Sequence, residues 1–334
     1  MNLDKLYKIL ADQPKYRVEQ CKEAIFKKLI SDWSQASNLS LDLREKLNAE
    51  CPLEIKGQVF VSKDKNTDKA LITLADGLQV ETVLLSHSDG RHTVCVSSQV
   101  GCPMKCQFCA TGQLGLKRKL NYNEIVEQVL FFARILKKED IRVSNVVFMG
   151  MGEPFLNYDQ VIKAIKYLNE ADGLAIGARH ISISTCGIID GIQKLSGEKM
   201  QLNLAISLHA PNDKLRSELM PTNKAFPIKK LLAAIDKYIQ KTGRRVMFEY
   251  LMLKGVNDSI EQAQELAQIM AKPLYLVNLI AYNPTEVFKA SDAKTITNFK
   301  NILSRAGVAV TQRYTFGQDI DAACGQLANK AQKG

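Results

Sequence analysis

Residues 145–170 run Asn145-Val-Val-Phe-Met-Gly-Met-Gly-Glu-Pro-Phe-Leu-Asn-Tyr-Asp-Gln-Val-Ile-Lys-Ala-Ile-Lys-Tyr-Leu-Asn-Glu170. Asn145–Gly150 is a short, largely apolar strand, and Tyr158–Glu170 carries a helical pattern of apolar positions. A strand followed at once by a helix is the unit of a parallel sheet. The unit recurs on both sides. Further strands are predicted at Thr93–Ser98, His180–Thr185, Leu202–Leu208, Arg245–Leu251 and Leu274–Ala281. Helices are predicted at Tyr122–Lys137, Ile188–Leu195, Ile228–Thr242 (after a loop around Pro221), Ser259–Ala271 and Ala293–Ala306, with a last strand at Val308–Tyr314. Six units fall short of the eight that close a TIM barrel. The expected fold class is therefore α/β, an open (βα)6 partial TIM barrel.

Upstream the rhythm differs. Leu3, Leu6, Ile9 and Leu10, then Val18, Cys21, Ile25, Leu29 and Ile30, recur near helical spacing. Between Leu53 and Leu85 the apolar residues Val59, Val61, Leu71, Ile72, Leu74, Val80 and Val83 fall in short runs separated by turn chemistry, which predicts a small antiparallel sheet. The expected division is a helical accessory region over 1–52, the β region over 53–87, the barrel core over 88–317 and a tail over 318–334. Barrels of this kind carry their chemistry at the C-terminal ends of the strands. Gly150–Pro154, Ser184–Gly187, Ser207–His209 and Asn283–Pro284 all fall there.

The chain has 334 residues, 46% hydrophobic and 24% charged, which excludes wholesale disorder, a collagenous repeat and a disulfide miniprotein. Its longest apolar stretches, such as Val143–Met151, are strand-length, against the roughly 20 residues of a spanning helix. Met1–Leu10 carries Asp4 and has neither an apolar core nor a cleavage site, so no signal peptide is expected, and the expected compartment is the cytoplasm. Lys plus Arg number 45 against 35 acidic residues, a formal charge of +10. That excess suits a polyanionic partner, nucleic acid first, although a Lys-rich genome produces it too. The basic run Lys117-Arg-Lys119 adjoins the expected barrel mouth, whereas Lys27-Lys28, Lys137-Lys138, Lys229-Lys230 and Arg244-Arg245 read as solvated faces.

Eight cysteines in a reducing compartment are read first as metal or redox groups: Cys21, Cys51, Cys95, Cys102, Cys106, Cys109, Cys186 and Cys324. Cys102-Pro-Met-Lys-Cys106-Gln-Phe-Cys109 follows the first barrel strand with the spacing CxxxCxxC. Three thiolates in one loop can hold an iron–sulfur cluster and leave one iron open to a small molecule. Zinc is the alternative, with Cys95 or His180 as a fourth ligand. Cys21, Cys51 and Cys186 read as packing residues.

The CxxxCxxC run with Phe108 before its last cysteine resembles the radical S-adenosylmethionine (SAM) signature. Cys95-Val-Ser-Ser-Gln-Val-Gly-Cys102, Met149-Gly-Met-Gly-Glu-Pro154, Ile206-Ser-Leu-His-Ala-Pro211 and Asp319-Ile-Asp-Ala-Ala-Cys-Gly-Gln-Leu327 narrow the resemblance to the RlmN/Cfr family of RNA adenine methyltransferases, over nearly the whole chain. The resemblance implies a [4Fe–4S] cluster on Cys102, Cys106 and Cys109, with SAM chelating the open iron and two SAM consumed per turnover. Gly152, Glu153, Ser184, Ser207, Leu208, His209 and Asn283 match the family's SAM contacts. It further implies that Cys324 accepts a methyl group from one SAM. A second SAM, cleaved reductively, gives a 5′-deoxyadenosyl radical that abstracts hydrogen from that methyl. The carbon radical adds to the electrophilic amidine carbon of adenine, Cys95 resolves the adduct through a transient disulfide with Cys324, and Glu81 accepts the ring proton.

Implied partners are 23S rRNA, tRNA and an electron donor such as flavodoxin or ferredoxin, with no membrane and a monomeric chain. The RlmN branch methylates carbon 2 of an rRNA adenine and the adenine 3′ of certain tRNA anticodons. The Cfr branch methylates carbon 8 of the same rRNA adenine and confers antibiotic resistance. Gly177-Ala-Arg-His180 and His209-Ala-Pro-Asn-Asp213 resemble the first branch, and Cys109-Ala-Thr-Gly112 and Tyr282-Asn-Pro-Thr285 lean toward the second. The RlmN outcome is the one expected. A radical SAM enzyme acting on a peptide or small molecule, and a non-catalytic iron–sulfur protein, are the readings from other classes.

Overall fold

The computed structural model describes residues 1–283, 287–313 and 317–328. Its first elements are helices α1 (Leu3–Ile9), α2 (Lys15–Lys22) and α3 (Leu41–Glu50). Asn2 caps α1 by accepting from the Lys5 N–H at 2.9 Å. A π-helical stretch, Glu23–Lys27, continues α2 and buries Ala24, Ile25 and Phe26. Trp33 is fully buried and donates its indole N–H to the Cys51 carbonyl at 2.8 Å, tying the end of α3 to the turn before it. Leu3 N–H donates to Asn123 Oδ1 at 3.0 Å and the Met1 ammonium pairs with Glu127, which docks this region on the helix Tyr122–Leu136.

Strands β1 (Gly57–Val61), β2 (Thr67–Thr73), β3 (Gln79–Ser86) and β4 (His92–Cys95) pair antiparallel in succession. A separate two-stranded ribbon, β5 (Gln99–Gly101) with β6 (Leu116–Lys119), brackets the cysteine loop and the short helix α4 (Ala110–Leu114). Alternation then sets in: α5 (Tyr122–Leu136), β7 (Asn145–Phe148), α6 (Tyr158–Asn169), β8 (Ile181–Thr185), α7 (Ile189–Leu195), β9 (Asn203–Ser207), α8 (Asp213–Leu219) and α9 (Ile228–Thr242). It continues through β10 (Val246–Met252), α10 (Ile260–Met270), β11 (Tyr275–Ala281), α11 (Ala293–Arg305) and β12 (Val310–Arg313). The ten-stranded sheet has the order β1-β2-β3-β4-β7-β8-β9-β10-β11-β12, parallel from β4 onward. Its two ends do not pair, so the barrel is open.

The expected α/β fold is present, and the antiparallel strands extend the edge of the barrel sheet, because β3 pairs with β4 along Val83↔Cys95 to Ser86↔His92. The helices begin where capping chemistry allows. Asn121 with Glu124 and Ser259 with Gln262 form reciprocal capping boxes at α5 and α10. β8 alternates strictly, with Ile181 and Ile183 fully buried and Ser182 and Ser184 part-exposed. The stretch expected as a loop around Pro221 contains α8, whose seven residues carry only two apolar positions, Leu215 and Leu219, too few for a periodicity to register. Among the described residues no helix is long and apolar enough to cross a membrane.

Candidate active site

Cys95 is the last residue of β4, opposite Val83 on β3 and Val147 on β7. The chain then leaves the sheet, and Cys102, Cys106 and Cys109 follow on the loop after β5. That loop is pinned from several sides. Cys102 N–H donates to the Gly115 carbonyl at 3.1 Å, Gln107 N–H to the Leu219 carbonyl at the end of α8 at 2.9 Å, and Cys109 N–H to the Cys106 carbonyl at 3.2 Å. Lys105 takes a left-handed conformation (φ 54°), which turns the loop between its first two thiols.

All three thiols border a cavity of ≈ 170 Å³ at the C-terminal ends of the strands. Gly152, Glu153, Ser184, Ser207 and His209 border it too, as do Cys186 and Glu249, to which sequence reasoning had given no function. Leu208 is buried behind this lining, its N–H on the Glu249 carbonyl at 3.1 Å. Asn283 faces the adjoining cavity instead. Pro284 and Thr285 lie outside the described residues.

Gly152 is required where it stands. Its φ is 98°, and an added Cβ would lie 2.6 Å from the Gln99 side chain. That close approach lets Gln99 Oε1 accept from the Glu153 N–H at 2.9 Å. The Glu153 carboxylate accepts from the Phe155 N–H at 3.0 Å and the Cys186 N–H at 2.8 Å, and burial raises its pKa above the usual carboxylate range. His209 has φ 56° and packs edge-on against Phe108 at 4.7 Å. Its Nδ1 accepts from the Leu251 N–H at 3.0 Å. Burial, aided by Arg216, pushes its pKa down to about 3, so the ring is neutral with its proton on Nε2.

Arg216 is the organiser of this floor. Fully buried on α8, it donates to the carbonyls of Cys186 (2.7 Å), Ser207 (3.0 Å), Leu208 (3.2 Å) and Phe226 (3.3 Å) and to Asn223 Oδ1 (2.8 Å). Burial pushes Cys102 up to about 12, Cys106 well above the ordinary thiol value and Cys109 upward. The donor set fits an iron–sulfur cluster with SAM beside it: three thiols on one loop, a cavity at the strand ends and a carboxylate facing it. Bound iron would supply the positive charge that thiolates in this apolar setting need. Among the described residues no three His, Cys, Asp or Glu side chains converge as around a single ion. His180, the histidine considered for zinc, is exposed at the opposite end of β8, beside Asn145.

A second cavity, ≈ 70 Å³, adjoins the first and is bordered by Cys95, Cys109, Cys324 and Arg313. Cys109, Cys324 and Arg313 border both. Cys324 reaches this place because the tail enters the mouth. Ala110 N–H donates to the Gly325 carbonyl at 2.8 Å, Thr111 Oγ1 to the Leu327 carbonyl at 2.5 Å, and Asn283 Nδ2 to the Cys324 carbonyl at 3.3 Å. The segment Gly317–Gly325, with no evident core role in the sequence, buries Ile320, Ala322 and Ala323. Burial, then the neighbouring Cys324, pushes Cys95 up to about 12, and Cys324, Glu249 and Cys95 together hold Arg313 above its usual value. Cys95 and Cys324 are free thiols.

Glu81 is buried within β3 and pairs with Lys69 Nζ at 3.0 Å. Of the basic run at the mouth, Arg118 is committed to Asp76 (2.6 Å) and Glu124 (2.8 Å), while Lys117 and Lys119 are exposed. Cys21 and Cys51 are buried in the N-terminal region, as packing residues are.

An open parallel barrel with a CxxxCxxC loop at its mouth defines the class, and the Radical SAM superfamily matches residues 96–267. The chain is 48% identical over 317 residues to a protein of Dictyoglomus thermophilum named as a probable dual-specificity RNA methyltransferase RlmN, covering 94% of this chain and 91% of that one. The namesake of Bacillus pumilus is 46% identical, covering 96% and 89%. A solved radical SAM methyltransferase of Sphaerobacter thermophilus superposes with a TM-score of 0.93 at 42% identity, covering 98% of this chain and 97% of that one. The chain belongs to the RlmN family of radical SAM RNA methyltransferases.

Proposed function

We propose that this protein methylates carbon 2 of an adenine in 23S rRNA and of the adenine 3′ of the anticodon in certain tRNAs, with Cys324 as methyl carrier and Cys95 as resolving thiol. The observation that carries the reading is the shared cavity in which Cys95 and Cys324 stand beside Cys109 of the cysteine loop. Cys102, Cys106 and Cys109 would hold a [4Fe–4S] cluster, with SAM beside Gly152, Glu153, Ser184, Ser207 and His209. When bound, the cluster supplies the electron that cleaves SAM reductively. Adenine needs this route because its amidine carbon is electrophilic and offers nothing to an ordinary methyl cation.

The chain's own residues do the rest. Cys324 acts as a thiolate nucleophile toward the methyl of one SAM, and the half-buried guanidinium of Arg313 offsets that negative charge. The neutral His209 donates from Nε2 into the SAM cavity without adding charge. Glu153 offers carboxylate oxygens to the SAM ammonium. Cys95 attacks the Cys324 sulfur to release the product, leaving a disulfide that a cellular thiol reductant must reopen. Glu81 is the proton acceptor for the ring hydrogen, with Lys69 Nζ 3.0 Å from its Oε1.

The test is anaerobic turnover of the reconstituted enzyme with RNA, read by mass spectrometry of the digested product. Cys324→Ala should abolish 2-methyladenosine, and Cys95→Ala should accumulate a protein–RNA adduct that survives denaturing electrophoresis. Full turnover by either variant would falsify the assigned roles, and 8-methyladenosine as the product would overturn the carbon-2 assignment.

A further inference from the structure

The face of β2 and β3 that meets the tail is built from alternate residues. Thr67 and Lys69 come from β2 and Glu81 from β3, in the register Thr67↔Leu85, Lys69↔Val83 and Leu71↔Glu81. Lys69 and Glu81 are thus diagonal cross-strand neighbours. Both side chains are only 1% exposed. Lysine and glutamate are almost never so buried unless paired, and an apolar pair of similar volume would pack the site at no desolvation cost. Packing alone therefore gives no reason for the pair.

The remaining polar atoms of the pair point to one. Glu81 Oε2 accepts from the Ala328 N–H at 2.7 Å, and Lys69 Nζ donates to the Asp321 carbonyl at 3.5 Å. Two further contacts lie on the same side. Lys63 N–H donates to Asp319 Oδ2 at 2.8 Å. Gly317, at φ 65°, lies so close over Thr67 that an added Cβ would stand 2.6 Å from Thr67 Cγ2. The tail is therefore held at positions 317, 319, 321 and 328, on both sides of Cys324.

We propose that the antiparallel extension β1–β3 is the docking platform of the Cys324 segment, and that Lys69 is a positioning residue which, through Glu81 and the Asp321 carbonyl, latches that thiol into the barrel mouth. This deepens the carrier role proposed above and rests on it for its meaning in catalysis. A methyl carrier that meets SAM, then RNA, then Cys95 has to be located repeatably, and a buried ionic latch does so more selectively than apolar contact. Because Ala328 N–H occupies Glu81 Oε2 while the tail is docked, tail position and access to that carboxylate are coupled.

The test uses the full-length reconstituted enzyme. Alkylation of Cys324 by iodoacetamide is followed by peptide mass spectrometry, alongside hydrogen exchange of residues 317–328. Lys69→Met should raise the Cys324 alkylation rate about tenfold or more, as expected for loss of charge-assisted hydrogen bonds. Lys69→Arg should restore much of the protection. Cys21, buried in α2, must stay unreactive, which separates tail release from general unfolding. Wild-type protection of Cys324 in Lys69→Met overturns the latch. Should Lys69→Met not fold, Asp319→Ala decides at the platform's edge. There a rise of roughly threefold in alkylation supports docking on β1–β3, and no rise overturns it. Turnover by Cys324→Ala, measured separately, would refute the carrier role and leave these protection data standing.

Discussion

His209 shows how one residue's surroundings settle its chemistry. In the sequence it would pass for an ordinary buried histidine, yet its left-handed backbone, its Nδ1 bonded to the Leu251 N–H and the facing Phe108 make it a neutral donor at the cavity wall. Its pKa, pushed down to about 3, lies below the ordinary 6.5, so between those values the unfolded chain binds a proton that the folded one refuses. The contribution of this ring to stability is therefore fully present above about pH 6.5 and is lost as the pH drops toward 3, at up to ~1.4 kcal/mol per pH unit. His209→Asn, whose Oδ1 stands near the place of Nδ1 and can still accept from the Leu251 N–H, should flatten the slope of unfolding free energy against pH between 5 and 7. Urea titrations at several pH values check this, and an unchanged slope would mean the ring is charged in the native state. Glu81 carries a related lesson: on a β-hairpin such a residue is ordinarily solvated, and here cross-strand placement beside Lys69 makes it part of the interior.

Helix α8, like α4 and the β5–β6 ribbon, is an element that the sequence concealed, and the floor of the site depends on it. Its Asn212 cap accepts from the Leu215 N–H at 3.0 Å, and its last carbonyl, Leu219, receives the Gln107 N–H of the cysteine loop. From its middle, Arg216 donates to carbonyls at the ends of β8 and β9. Arg216→Met should cost about 3 kcal/mol or more, since each stranded carbonyl costs ~1–3 kcal/mol. Denaturant midpoints measure the loss, and a change below about 1 kcal/mol would show that the carbonyls find other partners. The longer helices were legible because their apolar faces repeat over three or four turns. The predicted bounds of α9 match those observed, and α5, α10 and α11 differ at their caps alone.

Across the whole molecule, the charge of +10 is spread over many faces, and local pairing removes part of it, as Arg118 shows. Lys117 and Lys119 are exposed, and cations that pair with RNA phosphates do so with release of counterions. RNA affinity should fall at least about tenfold between 50 and 200 mM salt, measured by filter binding. A flat salt response would remove electrostatics as the basis of RNA capture. The tail belongs to this level as well. It spans from the antiparallel edge, at Glu81 and Lys69, across the cysteine loop, at Ala110 and Thr111, to Asn283 beyond β11.

Alternating strands and helices, the thiol spacing of 102–109 and the turn-separated strands of 53–87 are short-range patterns, set by backbone periodicity and by the reach of one loop. Amino-acid order alone therefore determined the class of sheet, its openness and the loop that carries the CxxxCxxC thiols. Cys95 and Cys324 were paired in the sequence only through family resemblance, because no local period links residues so far apart, and the structure brings both to one cavity. Which side chains meet across the mouth was decided by tertiary structure. The Glu81–Ala328 contact joins positions 247 apart, and its existence depends on strand order, register and the path of the tail, none of which a one-dimensional pattern encodes. The same holds for Lys69, Arg216 and Glu249, buried beside particular partners, and for Arg313, half-buried beside Cys95 and Cys324.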